Sequence, residues 1–330
     1  MKKLKILGRT ILPGETINLE AEVAKLYDST DLTMPVKIIR GEKEGPIVFL
    51  SAAIHGDEIN GVEIIREVLK IIERKKIKGT IIAVPIVNVF GFNNKSRYLP
   101  DRRDLNRSFP GSENGSLASR MAKIFMNEII SKCTHGIDFH TGAIHRSNHP
   151  QIRADLSCKE TKKFAKSFRA PIIVDSQTRD GSLREMARRK GVITLVFEGG
   201  EALRFEDDVI TAGVKGCISA LREIGVLPKL KLVSNRPKPI MALGSYWIRS
   251  PKGGTFKLKV KNGQMVKKNQ VIGEVTDPLG TDVELIRVHN SGYILGINKL
   301  PLVTQGEALV HIATTREGNY KKDRLMDSVD

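Results

Sequence analysis

The chain has 330 residues, of which 40% are hydrophobic, so one sizeable α/β domain with a buried core plus a smaller module is expected. The sequence contains no run of roughly 18 apolar residues, which argues against a membrane span, and its 3 cysteines without paired spacing favour a reducing compartment, the cytoplasm. The net charge of +17 is scattered along the chain and aromatic residues make up only 5%, so nucleic-acid binding is not expected as the main function.

Residues 1–45 are predicted to form short strands and turns that pack on the domain that follows them. The basic start of the chain is interrupted by Lys5, Gly8 and Arg9, so no export signal is expected. A turn at Pro13 and a strand at residues 36–39 lead to the next section.

Residues 46–226 alternate between apolar strand-like runs and segments with helical periodicity. The predicted strands are residues 46–54, 79–87, 136–139 and 192–197, and the predicted helices are residues 58–75, 117–131, 159–167 and 205–224. This alternation predicts an α/β domain with a three-layer, mostly parallel sheet.

Residues 227–330 begin with a proline-containing linker and continue as short β segments separated by glycine turns. We expect a smaller all-β module at the C-terminus. Residues 254–273 resemble the barrel-sandwich modules of biotinyl and lipoyl carriers, but no modifiable lysine occupies a tight hairpin tip.

His55 and Glu58 follow the first of these buried strands, at its junction with a helix. In open α/β sheets, ligands bind at the carboxyl ends of strands, so this position favours a functional site. Imidazole nitrogen and carboxylate oxygen both suit Zn²⁺. We therefore interpret the pair as two ligands of a catalytic zinc.

His140 ends a second strand-like segment and Glu198 ends a third. Because 81 residues separate Glu58 from His140, any shared metal site must be assembled by the fold. A carboxylate at the position of Glu198 could take a proton from metal-activated water. The arginine-rich segment 101–111 offers guanidinium groups that fit a carboxylate or an oxyanion.

Four motifs in order, HxxE, DLNRSFPG, DFHTG and a glutamate before paired glycines, resemble the succinylglutamate desuccinylase/aspartoacylase family, relatives of the zinc carboxypeptidases. The resemblance covers most of the chain. It implies a zinc-carboxypeptidase-like fold and one Zn²⁺ per subunit, held by His55, Glu58 and His140. It also implies Glu198 as the general base, and a C-terminal module that narrows access to the active site.

The resemblance further implies Asn106 and Arg107 as substrate-binding residues, with Arg107 on a substrate carboxylate. Arg97 is favoured as the residue that polarises the scissile carbonyl, with Arg102 and Arg103 as rivals. Arg188, ten positions before Glu198, is the expected second substrate-binding arginine. Its rivals are Arg184 and Arg189.

The function so implied is hydrolysis of a linear amide, with removal of an acyl group from a small, acidic N-acyl amino acid. A zinc carboxypeptidase or cell-wall peptide amidase is the alternative within the enzyme class. A catalytically inert metal-binding module is the alternative outside it. No GxSxG motif or activated cysteine supports covalent catalysis. The acyl group is left open, and a homo-oligomer is compatible with the sequence.

Other polar residues have simpler interpretations. His145 and His149 are attributed to a polar loop that lines the cleft rather than to a second metal. Asp138 either orients a histidine ligand or caps a strand. Asp104 is expected to stabilise its loop. Tyr293 is the tyrosine of the C-terminal module to test as part of the gate.

Overall fold

The computed structural model describes residues 3–229 and 238–315, which divide into two compact units, Met1–Pro239 and Ile240–Asp330. Pro237 of the expected linker lies outside the described residues. The strands of the first unit are β1 (Leu4–Ile6), β2 (Arg9–Ile11), β3 (Thr16–Lys25), β4 (Asp31–Arg40), β5 (Lys43–Ala52), β6 (Lys78–Val84), β7 (His135–Gly142), β8 (Arg146–Ala154), β9 (Ile172–Asp175) and β10 (Ile193–Glu201). Its helices are α1 (Asn60–Ile72), α2 (Val89–Asn93), α3 (Leu117–Glu128), α4 (Lys159–Phe168), α5 (Leu183–Arg189) and α6 (Asp207–Glu223).

The central sheet of the first unit has the strand order β3-β4-β6-β5-β7-β10-β8-β9. Its middle strands β6, β5, β7 and β10 are parallel, and β8 and β9 are parallel to each other. The β3–β4, β4–β6 and β8–β10 pairs are antiparallel. The α/β class is therefore confirmed. The sheet is mixed, with four parallel and three antiparallel pairs among the described strands of this unit, because the strands at and near its edges pair antiparallel with their neighbours.

Helices cover both faces of this sheet, which explains why the middle strands are apolar throughout. Phe49 of β5 meets Phe125 of α3 edge to face on one side. On the other side, Phe139 of β7 contacts Phe197 of β10, which in turn contacts Phe168 of α4. The rings are buried, so they contribute to a core on each face of the sheet.

Helix α1 illustrates how the sequence pattern produces this packing. Its buried apolar residues recur at helical spacing, at Ile64, Ile65, Val68 and Ile72. The helix is shorter at both ends than the predicted 58–75. As a result, Glu58 lies in the turn before the helix, where its carboxylate can project toward the end of the sheet.

The N-terminal region is more regular than predicted. Strands β3 and β4 each have ten residues and form an antiparallel pair, and β4 extends the central sheet through β6. The segment that contains His149 was predicted as a loop, and this was wrong. It forms strand β8, whose partly exposed residues and Pro150 hide the alternation typical of a strand. His145 lies in the turn before β8.

The second unit is all-β, as predicted. Its strands are β11 (Ile240–Ala242), β12 (Gly244–Arg249), β13 (Gly254–Leu258), β14 (Met265–Val266), β15 (Val271–Thr276), β16 (Val283–Arg287), β17 (Gly292–Asn298), β18 (Leu302–Val303) and β19 (Ala308–Thr314). Strands β16, β15, β13 and β18 form one sheet, while β12, β19, β17 and β14 pair in another. Buried side chains that include Phe256, Ile272 and Ile294 form the core of this sandwich.

Among the described helices, none combines the length and apolar character needed to cross a membrane. Cys133 and Cys217 are buried free thiols, and Cys158 is an exposed one.

Candidate active site

The site begins in a constrained turn at the end of β5. Ala53 adopts a left-handed conformation with φ of 48°, which costs free energy for a residue with a Cβ. A Cβ added to Gly56 would lie 1.9 Å from the backbone carbon of Gly91, so only glycine permits this close approach. The turn between Ala53 and Gly56 is thereby fixed against α2, and it carries His55 into the site.

His55, Glu58 and His140 converge at the carboxyl ends of β5 and β7. All three are buried, and their nearest donor atoms lie within 4.8 Å of one another. One oxygen of Glu58 is 2.7 Å from Nδ1 of His55, and the other is 2.7 Å from Nδ1 of His140. Two imidazoles and one carboxylate form a donor set that suits zinc, so these residues fit a divalent ion.

Two further carboxylates hold the opposite edges of the imidazole rings. Nε2 of His55 lies 3.1 Å from Oδ1 of Asp104, and Nε2 of His140 lies 2.8 Å from Oδ2 of Asp138. Each aspartate favours a proton on the Nε2 that it contacts, so that Nδ1, which faces Glu58, is the nitrogen that would bind a metal ion. Asp138 is itself fixed, because the hydroxyl of Ser51 donates to its other oxygen at 2.7 Å.

The charges of this cluster stabilise one another. Burial alone would lower the pKa of His140, but Asp138 and Glu58 outweigh it and raise that pKa well above the usual value. Burial would likewise raise the pKa of Glu58, yet the two histidines lower it. The carboxylate of Glu58 is therefore ionised across the neutral pH range, as a metal ligand requires.

Arg97 is the one of the three competing arginines that reaches this cluster. Its guanidinium lies 3.3 Å from Oε1 of Glu58 and donates to Oδ2 of Asp104 at 3.0 Å. Arg102 and Arg103 are exposed, and Arg103 approaches Asp101. The placement of Arg97 is compatible with contact to the oxygen of a scissile carbonyl, while this role itself stays a prediction.

Glu198 lies beside the histidine cluster because β10 pairs with β7 and places Glu198 opposite His140. Asn148 of β8 donates from Nδ2 to Oε2 of Glu198 at 3.0 Å. Burial is the largest cause that raises the pKa of Glu198, and the nearby carboxylate of Glu58 adds to it, while His140 opposes both. A carboxylate with a raised pKa is the kind of group that accepts a proton during catalysis.

Asn106 and Arg107 follow Asp104 in a single 3₁₀ turn. Oδ1 of Asn106 accepts a hydrogen bond from the backbone of Leu183 at 2.9 Å, which joins this turn to the start of α5. Arg107 is exposed, and its Nη1 donates to the carbonyl oxygen of Asn106 at 2.8 Å. Asn106 thus has a structural contact in this state, and the substrate-binding role of both residues stays a prediction.

The structure places Arg188 on the exposed side of α5, where it forms an ion pair with Glu185. Arg189 binds the same carboxylate. Their rival Arg184 differs, because its Nη1 is buried and has no hydrogen-bond partner among the residues that the structure describes, while Nη2 donates to Ser176 and Gln177. Burial, followed by the positive charge of Arg153, lowers the pKa of Arg184 to about 10, and the charge of Glu198 opposes this shift. Arg184 therefore lies within electrostatic reach of Glu198.

Tyr293 belongs to the second unit, where it pairs with Met265 between β17 and β14. Its role in a gate stays a prediction. Three residues near the site had no catalytic assignment from the sequence: Asp104, Asn148 and Arg153. For Asp104 the only signal was its position directly before LNR, because the histidine that it contacts is 49 positions away.

Comparisons with known proteins agree with this geometry. Residues 44–224 match the family described as the succinylglutamate desuccinylase/aspartoacylase catalytic domain. A curated relative, the N-alpha-acetyl-L-2,4-diaminobutyric acid deacetylase of Halomonas elongata, is 24% identical over 298 residues, which cover 86% of each protein.

Two solved structures share the fold. A succinylglutamate desuccinylase/aspartoacylase from Rhodobacter sphaeroides has a TM-score of 0.80 at 21% identity, covering 90% of this chain and 94% of that one. The product-bound ectoine utilization protein EutE (DoeB) from Ruegeria pomeroyi has a TM-score of 0.80 at 22% identity, covering 92% of this chain and 98% of that one. Since the family match spans more than half of its length, the chain belongs to the succinylglutamate desuccinylase/aspartoacylase family.

Proposed function

We propose that this protein is a zinc-dependent deacylase that hydrolyses the amide bond of a small, acidic N-acyl amino acid. The observation that carries the proposal is the pairing of Glu198 with His140 on adjacent strands, next to the cluster of His55, Glu58 and His140. It places a group suited to proton transfer beside three groups suited to hold one metal ion.

The residues of the site divide the work of this reaction between metal binding, orientation of the ligands and proton transfer. His55, Glu58 and His140 hold the ion, and Asp104 and Asp138 orient the two imidazoles. When bound, a zinc ion supplies Lewis acidity and lowers the pKa of water. Glu198 accepts the proton of the attacking water and delivers it to the leaving nitrogen, so no covalent acyl intermediate is needed.

Arginines supply the remaining electrostatic requirements. Arg97 is the group that faces the oxyanion of the tetrahedral intermediate, a contribution of about 2.7–4 kcal/mol for a well-placed donor. Arg107 and one arginine of α5 bind the carboxylate of the substrate. Among the α5 arginines, Arg184 fits this role better than Arg188 does, because its Nη1 is buried and has no hydrogen-bond partner among the described residues, whereas Arg188 is paired with Glu185.

The names of the relatives support amide hydrolysis on small N-acylated amino acids. The curated relative is a deacetylase of an acetylated diamino acid. An acetyl group is therefore the first acyl group to test here, followed by succinyl and aminoacyl groups.

The test is hydrolysis of a panel of N-acyl amino acids by purified, zinc-replete protein, with release of the free amine as the readout. We expect turnover that is abolished by a chelator and restored by added zinc. Substrates with free and amidated carboxyl groups separate this activity from that of a peptide amidase. Absence of chelator-sensitive hydrolysis across N-acyl amino acids and short peptides would refute the proposal.

A further inference from the structure

The backbone directly after Glu198 is irregular. The pairing of β10 shifts register between Glu198 and Glu201 on the β7 side, and between Glu198 and Gly200 on the β8 side. Gly200 has a φ of +77°, the left-handed conformation that favours glycine. Bulges of this kind re-aim neighbouring side chains and occur beside active sites.

One buried side chain from another element holds this bulge. Asn60, the first residue of α1, is fully buried. Its Oδ1 accepts a hydrogen bond from the backbone of Glu206 at 3.0 Å, and its Nδ2 lies 3.4 Å from the carbonyl oxygen of Gly199. The same Nδ2 lies 3.4 Å from Oε2 of Glu206.

Glu206 completes the connection on the other side of the bulge. Its Oε2 accepts a hydrogen bond from the backbone of Glu201 at 2.7 Å. A Cβ added to Gly200 would lie 2.0 Å from this oxygen and 2.4 Å from Nδ2 of Asn60. Asn60 and Glu206 therefore enclose the bulge closely, and a Cβ at position 200 would have to displace both of their side chains.

We propose that Asn60 and Glu206 are positioning residues that fix the carboxylate of Glu198 relative to Glu58. Asn60 follows Glu58 by two residues, so one end of this connection is attached to the segment that carries a metal ligand. The other end is attached to the strand end that carries Glu198. The inference rests on the proposed function, because it concerns how the proposed base, Glu198, is held relative to the proposed metal ligand, Glu58.

The physical reason is the sensitivity of catalysis to geometry. A displacement of about 1 Å in a reacting group can cost roughly 100-fold in rate. Removal of the Asn60 amide would free the Gly199–Gly200 bulge while His55, Glu58 and His140 keep their own contacts. The loss should therefore affect kcat more than KM or the bound metal.

The experiment compares Asn60→Ala, Glu206→Ala and Glu206→Gln with Asn298→Ala. Asn298 is a matched control, because it is a buried asparagine of the second unit whose amide donates to Glu307. Glu206→Gln keeps an oxygen that can accept from Glu201. Glu206 makes no side-chain capping bond to α6, so Glu206→Ala removes no helix cap.

We expect Asn60→Ala and Glu206→Ala to lower kcat ~10–100-fold, with KM and zinc content close to wild type. Glu206→Gln should recover much of the loss. Hydrogen exchange of the peptide that contains residues 199–202 should accelerate in both alanine variants. If Asn60→Ala does not fold, the Glu206 pair supplies the same comparison.

A kcat for both alanine variants within about twofold of Asn298→Ala overturns the inference. If the wild-type protein hydrolyses none of the substrates, the proposed function fails, and hydrogen exchange decides the positioning claim separately. Unchanged exchange at residues 199–202 then overturns that claim as well.

Discussion

Asp138 contacts the far edge of the His140 ring, with Oδ2 at 2.8 Å from Nε2, while Nδ1 of the same ring faces Glu58. Both residues are buried on β7. The aspartate thus favours a proton on Nε2 and would leave Nδ1 as the nitrogen that binds a metal ion. The two interpretations of Asp138 that the sequence left open are resolved in favour of contact with the histidine.

Asp138→Asn should weaken zinc binding about 10–100-fold, because a neutral amide no longer fixes the Nε2 proton of His140. Competition titration with a chromophoric chelator measures this change. Asp175→Asn is the control, since Asp175 is exposed and its side chain accepts a hydrogen bond from the backbone of Leu156, away from the histidines. Equal zinc affinity in the two variants would contradict a role for Asp138.

Glu198→Gln should lower kcat by roughly 10²–10⁴-fold and leave the zinc content unchanged, because the amide cannot accept the proton of the attacking water. The comparison variant is Glu160→Gln, which alters an exposed glutamate at the start of α4. Steady-state kinetics and metal analysis of both proteins provide the readout. Full turnover by Glu198→Gln would remove the base assignment.

The pH dependence of kcat/KM follows from the environment of Glu198. Its carboxylate must be ionised to act as a base, and burial raises its pKa. As the pH is lowered, kcat/KM should therefore begin to fall at a higher pH than an ordinary glutamate would give. Asn148 donates to the ionised form and opposes this rise. Asn148→Ala should therefore move the acidic limb of the profile to higher pH, and an unchanged or lower limb contradicts this account.

Substitution of Arg184 and of Arg188 in α5 should have different effects on kcat/KM. If Arg184 binds the substrate carboxylate, Arg184→Met should lower kcat/KM roughly 10–100-fold for substrates with a free carboxylate. This loss corresponds to about 1.5–3 kcal/mol of binding free energy, as expected for a hydrogen bond to a charged group. Arg188→Met should have little effect, since Arg188 pairs with Glu185 at the surface. With substrates whose carboxyl group is amidated, Arg184→Met and Arg188→Met should have similar kcat/KM values, because there is no carboxylate to bind. A larger loss of kcat/KM in Arg188→Met than in Arg184→Met would instead support Arg188, the arginine favoured from the sequence.

The sequence was sufficient to identify the strands that carry the site, but not where they end, because β7 continues to Gly142 and β10 to Glu201. His55, His140 and Glu198 each follow or end an apolar run, and the structure brings all three together. Strand β8 could not be predicted, because Pro150 and polar neighbours conceal its pairing with β10.

Partners across the fold could not be predicted either. Asn148 meets Glu198 from 50 positions away, and Asn60 meets Glu206 from 146 positions away. Such contacts depend on the register of neighbouring strands and on helix packing, which no local pattern specifies. The choice between Arg184 and Arg188 depends on burial, which the spacing to Glu198 does not reveal.

Metal stoichiometry is the most direct test of the central claim that His55, Glu58 and His140 hold one divalent ion. The wild-type protein, loaded with zinc and freed of excess, should contain about one ion per chain by elemental analysis. The zinc content of His55→Ala and of His140→Ala should each fall close to background, while His149→Ala keeps the wild-type zinc content. Wild-type zinc content in His55→Ala and His140→Ala would contradict the account.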